Sequence, residues 1–302
     1  MKILLLGKNG QIGRELRQTL PALEGLVALG RDDVDMRDQN ALRHTLSAHR
    51  PAIIVNATGY TAVDQAESHP QDAALINTRA VDTLALYARQ AGALLVHYST
   101  DYVFDGAQPA AYTEADPTAP LNIYGATKLA GEAAIRDSGC DALILRCSWV
   151  YADHGHNFPN TILKLAKTRE RLDVVADQTG APTSATLIAE ITGQAIDAHL
   201  RQSLSSGIYH LAASGATSWH AYARYLVTGA AERGMALTLT PEHIRPVASA
   251  DYAAAARRPL HSHLDTTRLA KALNVQFPDW TVGVDQLLDQ LSGRVPGRGD
   301  HS

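Results

Sequence analysis

Lys2-Ile3-Leu4-Leu5-Leu6-Gly7-Lys8-Asn9-Gly10-Gln11-Ile12-Gly13 decides the fold of this chain. The apolar run 2–6 stops at Gly7, the pattern of a buried parallel strand feeding a turn. Beyond the turn, Ile12, Leu16 and Leu20 recur four apart and predict a helix over 11–20. Working outward, 26–29 reads as a second strand, and Ala41, Leu42 and Leu46 mark a second helix. A strand over 52–55, a long helix over 75–91, a strand over 94–98, a helix starting near Tyr124 and a strand over 143–145 follow. Strands separated by helices imply right-handed crossovers and a parallel sheet covered on both faces. The expected class is α/β, a doubly wound parallel sheet with a smaller interleaved lobe.

After Trp149 the pattern loosens. Residues 154–157 and 177–183 read as loops, 158–167, 187–200 and 219–232 as helices, and 207–211 as a strand. The expected division is a Rossmann-type nucleotide-binding domain over 1–150, to which later segments return, a mainly substrate-binding lobe over 151–292, and a flexible tail over 293–302. The 302 residues carry 27 basic and 31 acidic side chains, a net charge of −4, which excludes a nucleic-acid binder working by bulk phosphate attraction. No apolar stretch of about 18 residues is present to cross a membrane as a helix. The N-terminus reaches glycine too soon for a secretory signal. Cys140 and Cys147 are too few for a disulfide scaffold or a four-thiolate zinc site. A cytoplasmic, globular protein is the expectation.

Gly7, Gly10 and Gly13, with Gln11 and Ile12 between them, lie between the first strand and the first helix. Glycines there let the backbone turn and approach a pyrophosphate, while the helix start offers free N–H groups. The spacing is G-x-x-G-x-x-G rather than G-x-G-x-x-G. At the end of the second strand, where an NAD-preferring protein carries an acid, stand Gly30 and Arg31. A cation there suits a 2′-phosphate and points to NADPH, although Asp32 and Asp33 are placed to hold Arg31 in a salt bridge instead.

Tyr124 and Lys128 stand four apart on one helix face. A free phenol titrates near ~10, and an ammonium one turn away is expected to lower that value and let Tyr124 exchange a proton with a carbonyl oxygen. Thr100, just past the fourth strand, is the natural hydroxyl for the same oxygen, since such sheets bind ligands at their carboxyl ends. The glycine loop, Thr100 and the Tyr124–Lys128 pair together resemble the extended short-chain dehydrogenase/reductase superfamily. Longer runs are similar to its dTDP-4-dehydrorhamnose reductase family: His97-Tyr98-Ser99-Thr100-Asp101-Tyr102-Val103-Phe104-Asp105-Gly106, Pro120-Leu121-Asn122-Ile123-Tyr124-Gly125, and Arg146-Cys147-Ser148-Trp149-Val150-Tyr151. So are Asn56-Ala57, Thr61-Ala62-Val63-Asp64, and Asp177-Gln178 with Gly180-Ala181-Pro182-Thr183.

The resemblance implies reduction of the C4 ketone of dTDP-4-dehydro-L-rhamnose to dTDP-L-rhamnose, a sugar-nucleotide step in polysaccharide biosynthesis. It implies Gly10, Gln11 and Ile12 at the cofactor pyrophosphate, Gly59, Tyr60 and Thr61 on its adenosine or ribose side, and Tyr98 near the nicotinamide half. Thr100 and Asp101 would contact the sugar, Tyr124 would donate the proton, Lys128 would bind the nicotinamide ribose, and Trp149 would wall the sugar pocket. NADH stays open beside NADPH, because members of such a family often use either. Some members are dimers with magnesium bridging glutamates. Glu15 matches one such position, but Thr186 stands where a second glutamate is expected, so no metal is assigned and a homodimer is left open. The pairs His154/His156 and His261/His263 have a spacing that could hold a metal, but with no cysteine or second ligand pair nearby they read as loop histidines. Two rival functions share the fold: an NDP-sugar epimerase, which returns its hydride, and a non-enzymatic regulatory subunit of methionine adenosyltransferase.

Overall fold

The computed structural model describes residues 1–20 and 25–293; the expected tail lies, from residue 294 on, outside them. The chain runs β1 (Ile3–Leu6), α1 (Gln11–Thr19), β2 (Leu26–Leu29), α2 (Gln39–His49), β3 (Ile53–Asn56), α3 (Val63–Ser68), α4 (Pro70–Ala74), a π turn (Leu75–Arg79), α5 (Ala80–Ala91) and β4 (Leu94–Thr100). Next come α6 (Ile123–Ser138), β5 (Ala142–Cys147), β6 (Val150–Tyr151), α7 (Phe158–Ala166), β7 (Leu172–Val175), β8 (Thr179–Gly180) and β9 (Thr183–Ser184). The remainder is α8 (Ala185–Leu200), β10 (Gly207–His210), β11 (Thr217–Ser218), α9 (Trp219–Glu232), β12 (Ile244–Val247), α10 (Thr267–Leu273) and α11 (Trp280–Leu291).

Six strands form one all-parallel sheet in the order β2-β1-β3-β4-β5-β10, the doubly wound arrangement expected. Every residue of β1 is fully buried because helices cover both faces. Ile3 and Leu5 join Leu16 of α1 and Ile188 of α8 in one core, and Leu4 and Leu6 join Leu42 of α2 and Leu84 of α5 in the other. Each such side chain contributes about 1.5–3 kcal/mol through burial. The strand order reverses between β1 and β3, which opens a crevice at their carboxyl ends. A third core, including Tyr151, Leu163 of α7, Leu226 of α9 and Leu288 of α11, belongs to the smaller lobe.

Two expectations are corrected. The helix expected over 75–91 begins instead at Pro70 as α4, passes through the π turn, and continues as α5. Its extra residue pushes the Asn77 carbonyl against α6, where Gly131 has no Cβ to collide with it. The loop expected over 177–183 contains β8 and β9, two-residue strands that pair with β11 and β6. Segments this short carry no period of two.

Candidate functional site

The glycine loop sits at the switch point. Gly7 has φ +91°, and a Cβ on it would stand 2.7 Å from the Ala57 carbonyl at the end of β3. A Cβ on Gly13 would run into the Gly7 carbonyl, so α1 can start this close to β1 only with glycine there. Gly10 ends the turn as the residue before α1, leaving the first-turn amides of Gln11, Ile12 and Gly13 without intrahelical acceptors. The Gln11 side chain accepts from Asn157 at 2.8 Å, tying the loop to the smaller lobe. A cleft of about 260 Å³ opens beside the loop, lined by Gly7, Gly10, Gly30, Arg31, Met36 and Gly59 among others.

Arg31 lines this cleft with an exposed side chain. Asp33, expected as a partner for it, turns instead to Lys8 at 2.7 Å and accepts from the Gly30 N–H at 2.7 Å. Those two donors hold the Asp33 carboxyl below its ordinary pKa, the Gly30 bond more than the Lys8 bond. Gly30 makes the pairing possible, since a Cβ there would press on Asn9 at 2.9 Å and on the Lys8 side chain at 3.3 Å. Lys8 thus brings a second cation to the end of β2, which the sequence signalled only through the missing side chain at Gly30.

On the other side of the crevice, Gly59 and Thr61 are exposed and Tyr60 is half-buried. Asn77 of the π turn, itself buried, fixes this segment: its side chain accepts from the Tyr60 N–H at 2.8 Å and donates to the Tyr60 carbonyl at 3.2 Å and the Thr127 hydroxyl at 3.1 Å. Nothing in a helical pattern singles out Asn77.

Alternation along β4 sorts its side chains. Tyr98 shares a face with Leu94 and Val96, and its hydroxyl lies 2.8 Å from Thr192 on α8. Its ring is therefore in the core, and its carbonyl accepts from Lys128 at 2.5 Å. Thr100, Tyr124 and Lys128 do converge where β4 ends against α6. Asn122 caps α6 by accepting from the Gly125 N–H at 2.8 Å, which sets Tyr124 in the first turn and Lys128 one turn deeper. Burial raises the Tyr124 phenol above its ordinary pKa, while the Thr100 hydroxyl beside it pulls the other way. The expected lowering by Lys128 is absent, because the lysine nitrogen is directed to Tyr98 and to His97 at 3.3 Å. Burial brings Lys128 down to about 8, partly offset by Glu132. Glu132, one turn further, is buried against Arg146 of β5 at 2.7 Å and accepts from Ser99.

Asp101 accepts from Thr100 at 3.0 Å, and its Oδ2 is buried with no partner. Burial raises its carboxyl to about 7, while the nearby hydroxyls of Ser262 and Thr100 pull the other way. Nearby, a cleft of about 950 Å³ runs between the lobes, lined in part by Gly106, Leu121, Phe158, Trp219 and Arg258. Trp219 lines it, and Trp149, expected as the wall, is half-buried and stacks face to face on Trp219 with ring centroids 3.5 Å apart and planes 5° from parallel. Arg258 pairs with Asp64 at 2.7 Å, which joins the C-terminal segment to α3.

Glu15 accepts from the Thr186 hydroxyl at 3.0 Å, so this place does not reproduce the glutamate pair that the resemblance implies. Glu15, Asp153 and His154 do bring three ligand-type atoms within 4.8 Å of one another. No helix among the described residues is long and apolar enough to cross a membrane.

A family model described as the RmlD substrate binding domain matches residues 1–292. A dTDP-4-dehydrorhamnose reductase of Escherichia coli (strain K12) is 44% identical over 295 residues, 96% of this chain and 98% of that one. The crystal structure of a dTDP-4-dehydrorhamnose reductase from Bacillus anthracis in complex with NADP is similar at a TM-score of 0.85 and 33% identity, covering 95% of this chain and 99% of that one. One from Clostridium acetobutylicum matches at a TM-score of 0.86 and 30% identity, over 96% and 99%.

Proposed function

This chain belongs to the RmlD substrate binding domain family, and from that premise we propose that it reduces the C4 ketone of dTDP-4-dehydro-L-rhamnose to dTDP-L-rhamnose with NADPH. It is an NAD(P)H-dependent oxidoreductase. The observation that carries the reading is the meeting of Thr100, Tyr124 and buried Lys128 at the carboxyl end of β4, across the crevice from the glycine loop.

The dinucleotide, when bound, supplies the hydride. Gly7, Gly10 and Gly13 leave room for its pyrophosphate, and the free amides of Gln11 and Ile12 offer donors to it. Arg31, with Lys8 beside it, meets the adenosine 2′-phosphate; Gly59, Tyr60 and Thr61 flank the adenosine side, and Lys128 holds the nicotinamide ribose. Tyr124 gives its proton to the oxygen on C4, and Thr100 hydrogen-bonds the same oxygen. Reduction needs the phenol in its protonated form, and burial keeps it so. The partnerless Oδ2 of Asp101 supports its role as an acceptor for a sugar hydroxyl. Trp219, stacked on Trp149, provides an apolar face for the sugar nucleotide. In this reading residues 1–150 are the dinucleotide-binding half and 151–292 mainly carry the substrate.

The test is incubation with dTDP-4-dehydrorhamnose and NADPH, following cofactor oxidation and sugar product together. Stoichiometric NADPH loss with dTDP-rhamnose formation is expected. Sugar conversion without net NADPH loss would establish the epimerase, and NADPH binding with no turnover the non-enzymatic subunit.

A further inference from the structure

Three buried side chains behind the site form a row whose hydrogens can be counted: Asn56 at the end of β3, His97 on β4, and Lys128 on α6. The Asn56 Oδ1 accepts from the Thr58 backbone N–H at 3.2 Å and from the Thr58 hydroxyl at 2.6 Å. A backbone N–H can only donate, so the amide oxygen is fixed on that side and Nδ2 faces His97 Nδ1 at 3.1 Å. Nδ1 must then accept. Burial, together with Lys128, holds the imidazole well below its ordinary pKa, so the ring is neutral and its one hydrogen sits on Nε2. That Nε2 lies 3.3 Å from Lys128 Nζ. An ammonium has three donors and no lone pair, so an N–H directed at it finds an acceptor only in the amine.

We propose that His97 is a positioning residue for Lys128: with its tautomer set by Asn56, it presents an N–H to the lysine nitrogen and favours the neutral amine over the ammonium. The inference rests on the reading that Lys128 serves the active site, and it gives that residue a proton that comes and goes. The other groups facing Lys128 act differently. Glu132, on the same helix, favours the ammonium, although two bonds from Arg146 at 2.7 and 2.9 Å share its charge. Burial raises both the Cys147 thiol on β5 and the Tyr124 phenol one turn back, so both stay protonated and place no charge beside the lysine. Tyr98 offers only its carbonyl, which accepts from amine and ammonium alike.

Long-range proton–nitrogen NMR of the histidine-labelled, cofactor-free enzyme reads which ring nitrogen carries the hydrogen, with His97 assigned by comparison with His97→Gln. Nε2–H is expected; a hydrogen on Nδ1 overturns the proposal. In Asn56→Asp the carboxylate accepts from both neighbours, moves the ring hydrogen to Nδ1, and turns Nε2 into an acceptor for an ammonium. Nitrogen NMR of labelled lysine should then show Lys128 titrating at higher pH, by about tenfold or more in proton affinity. An unmoved titration in a folded variant also overturns it. Should that variant fail to fold, the wild-type tautomer decides alone. Neither readout uses a sugar substrate, so both results stand even if the chain proves to reduce a different compound.

Discussion

Replacing Lys128 by Met isolates the electrostatic cost of burying that lysine. Lys128 is 4% exposed, and burial brings it from 10.5 to about 8, with Glu132 opposing. The unfolded chain therefore keeps this proton to higher pH than the folded one. Below pH 8 the folded state bears a cost of about 3 kcal/mol, which disappears as the pH rises towards 10.5. From pH 7 to pH 9.5 wild type should recover about 2 kcal/mol of stability that Lys128→Met, having no such group, does not. Losing the bond to the Tyr98 carbonyl adds a penalty of about 1–3 kcal/mol to the variant, but that penalty does not depend on pH. The assay is urea unfolding of both proteins at the two pH values, since titrating groups away from Lys128 cancel in the double difference, and burial alone keeps its neighbours His97 and Cys147 uncharged in both folds. The variant's stability relative to wild type should fall by about 2 kcal/mol on going to pH 9.5. A relative stability constant to within about 0.5 kcal/mol would refute the reasoning, because Lys128 would then titrate in the fold as an ordinary lysine.

Three further substitutions probe the site. Tyr124→Phe should keep the fold and the NADPH dissociation constant while kcat falls about 10²–10⁴-fold; near-normal kcat would assign the proton donor elsewhere. Arg31→Ala should raise the KM for NADPH about tenfold and leave that for NADH nearly unchanged, whereas equal losses would mean that Arg31 holds the loop rather than the phosphate. Glu132→Leu strands Arg146 without its buried partner and should cost about 3–5 kcal/mol in urea unfolding; a loss below about 1 kcal/mol would contradict that dependence.

The sheet was legible because each central strand is an apolar run buried on both faces, ended by a glycine or a polar turn, as Leu6-Gly7 shows. The Tyr124–Lys128 pair is legible from local spacing on one helix, and Thr100 from its place at the carboxyl end of β4, whereas the packing of α6 against that strand end is tertiary. The core placement of the Tyr98 ring is legible as well, since alternation from Leu94 and Val96 sends it towards α8. Other features depend on partners distant in sequence. Asn77 matters because a π turn aims it at the Tyr60 segment, 17 residues away. Lys8 matters because it crosses Gly30 to reach Asp33. Trp219 reaches the cleft from a helix 70 positions beyond Trp149, and only stacking reveals the pair. The Tyr124 phenol went the other way from expectation because spacing on a helix counts the neighbouring ammonium but not the burial around both groups.

In the proposed reaction the hydride goes to C4 of the sugar and Tyr124 supplies the proton. The most direct measurement uses NADPH deuterated at the transferable position of its nicotinamide, with dTDP-4-dehydrorhamnose, and examines the sugar product by NMR. One deuterium on C4 of dTDP-rhamnose for each NADPH oxidised, lost in proportion in Tyr124→Phe, is the expected result. A sugar product without deuterium, or labelled anywhere but C4, would contradict it.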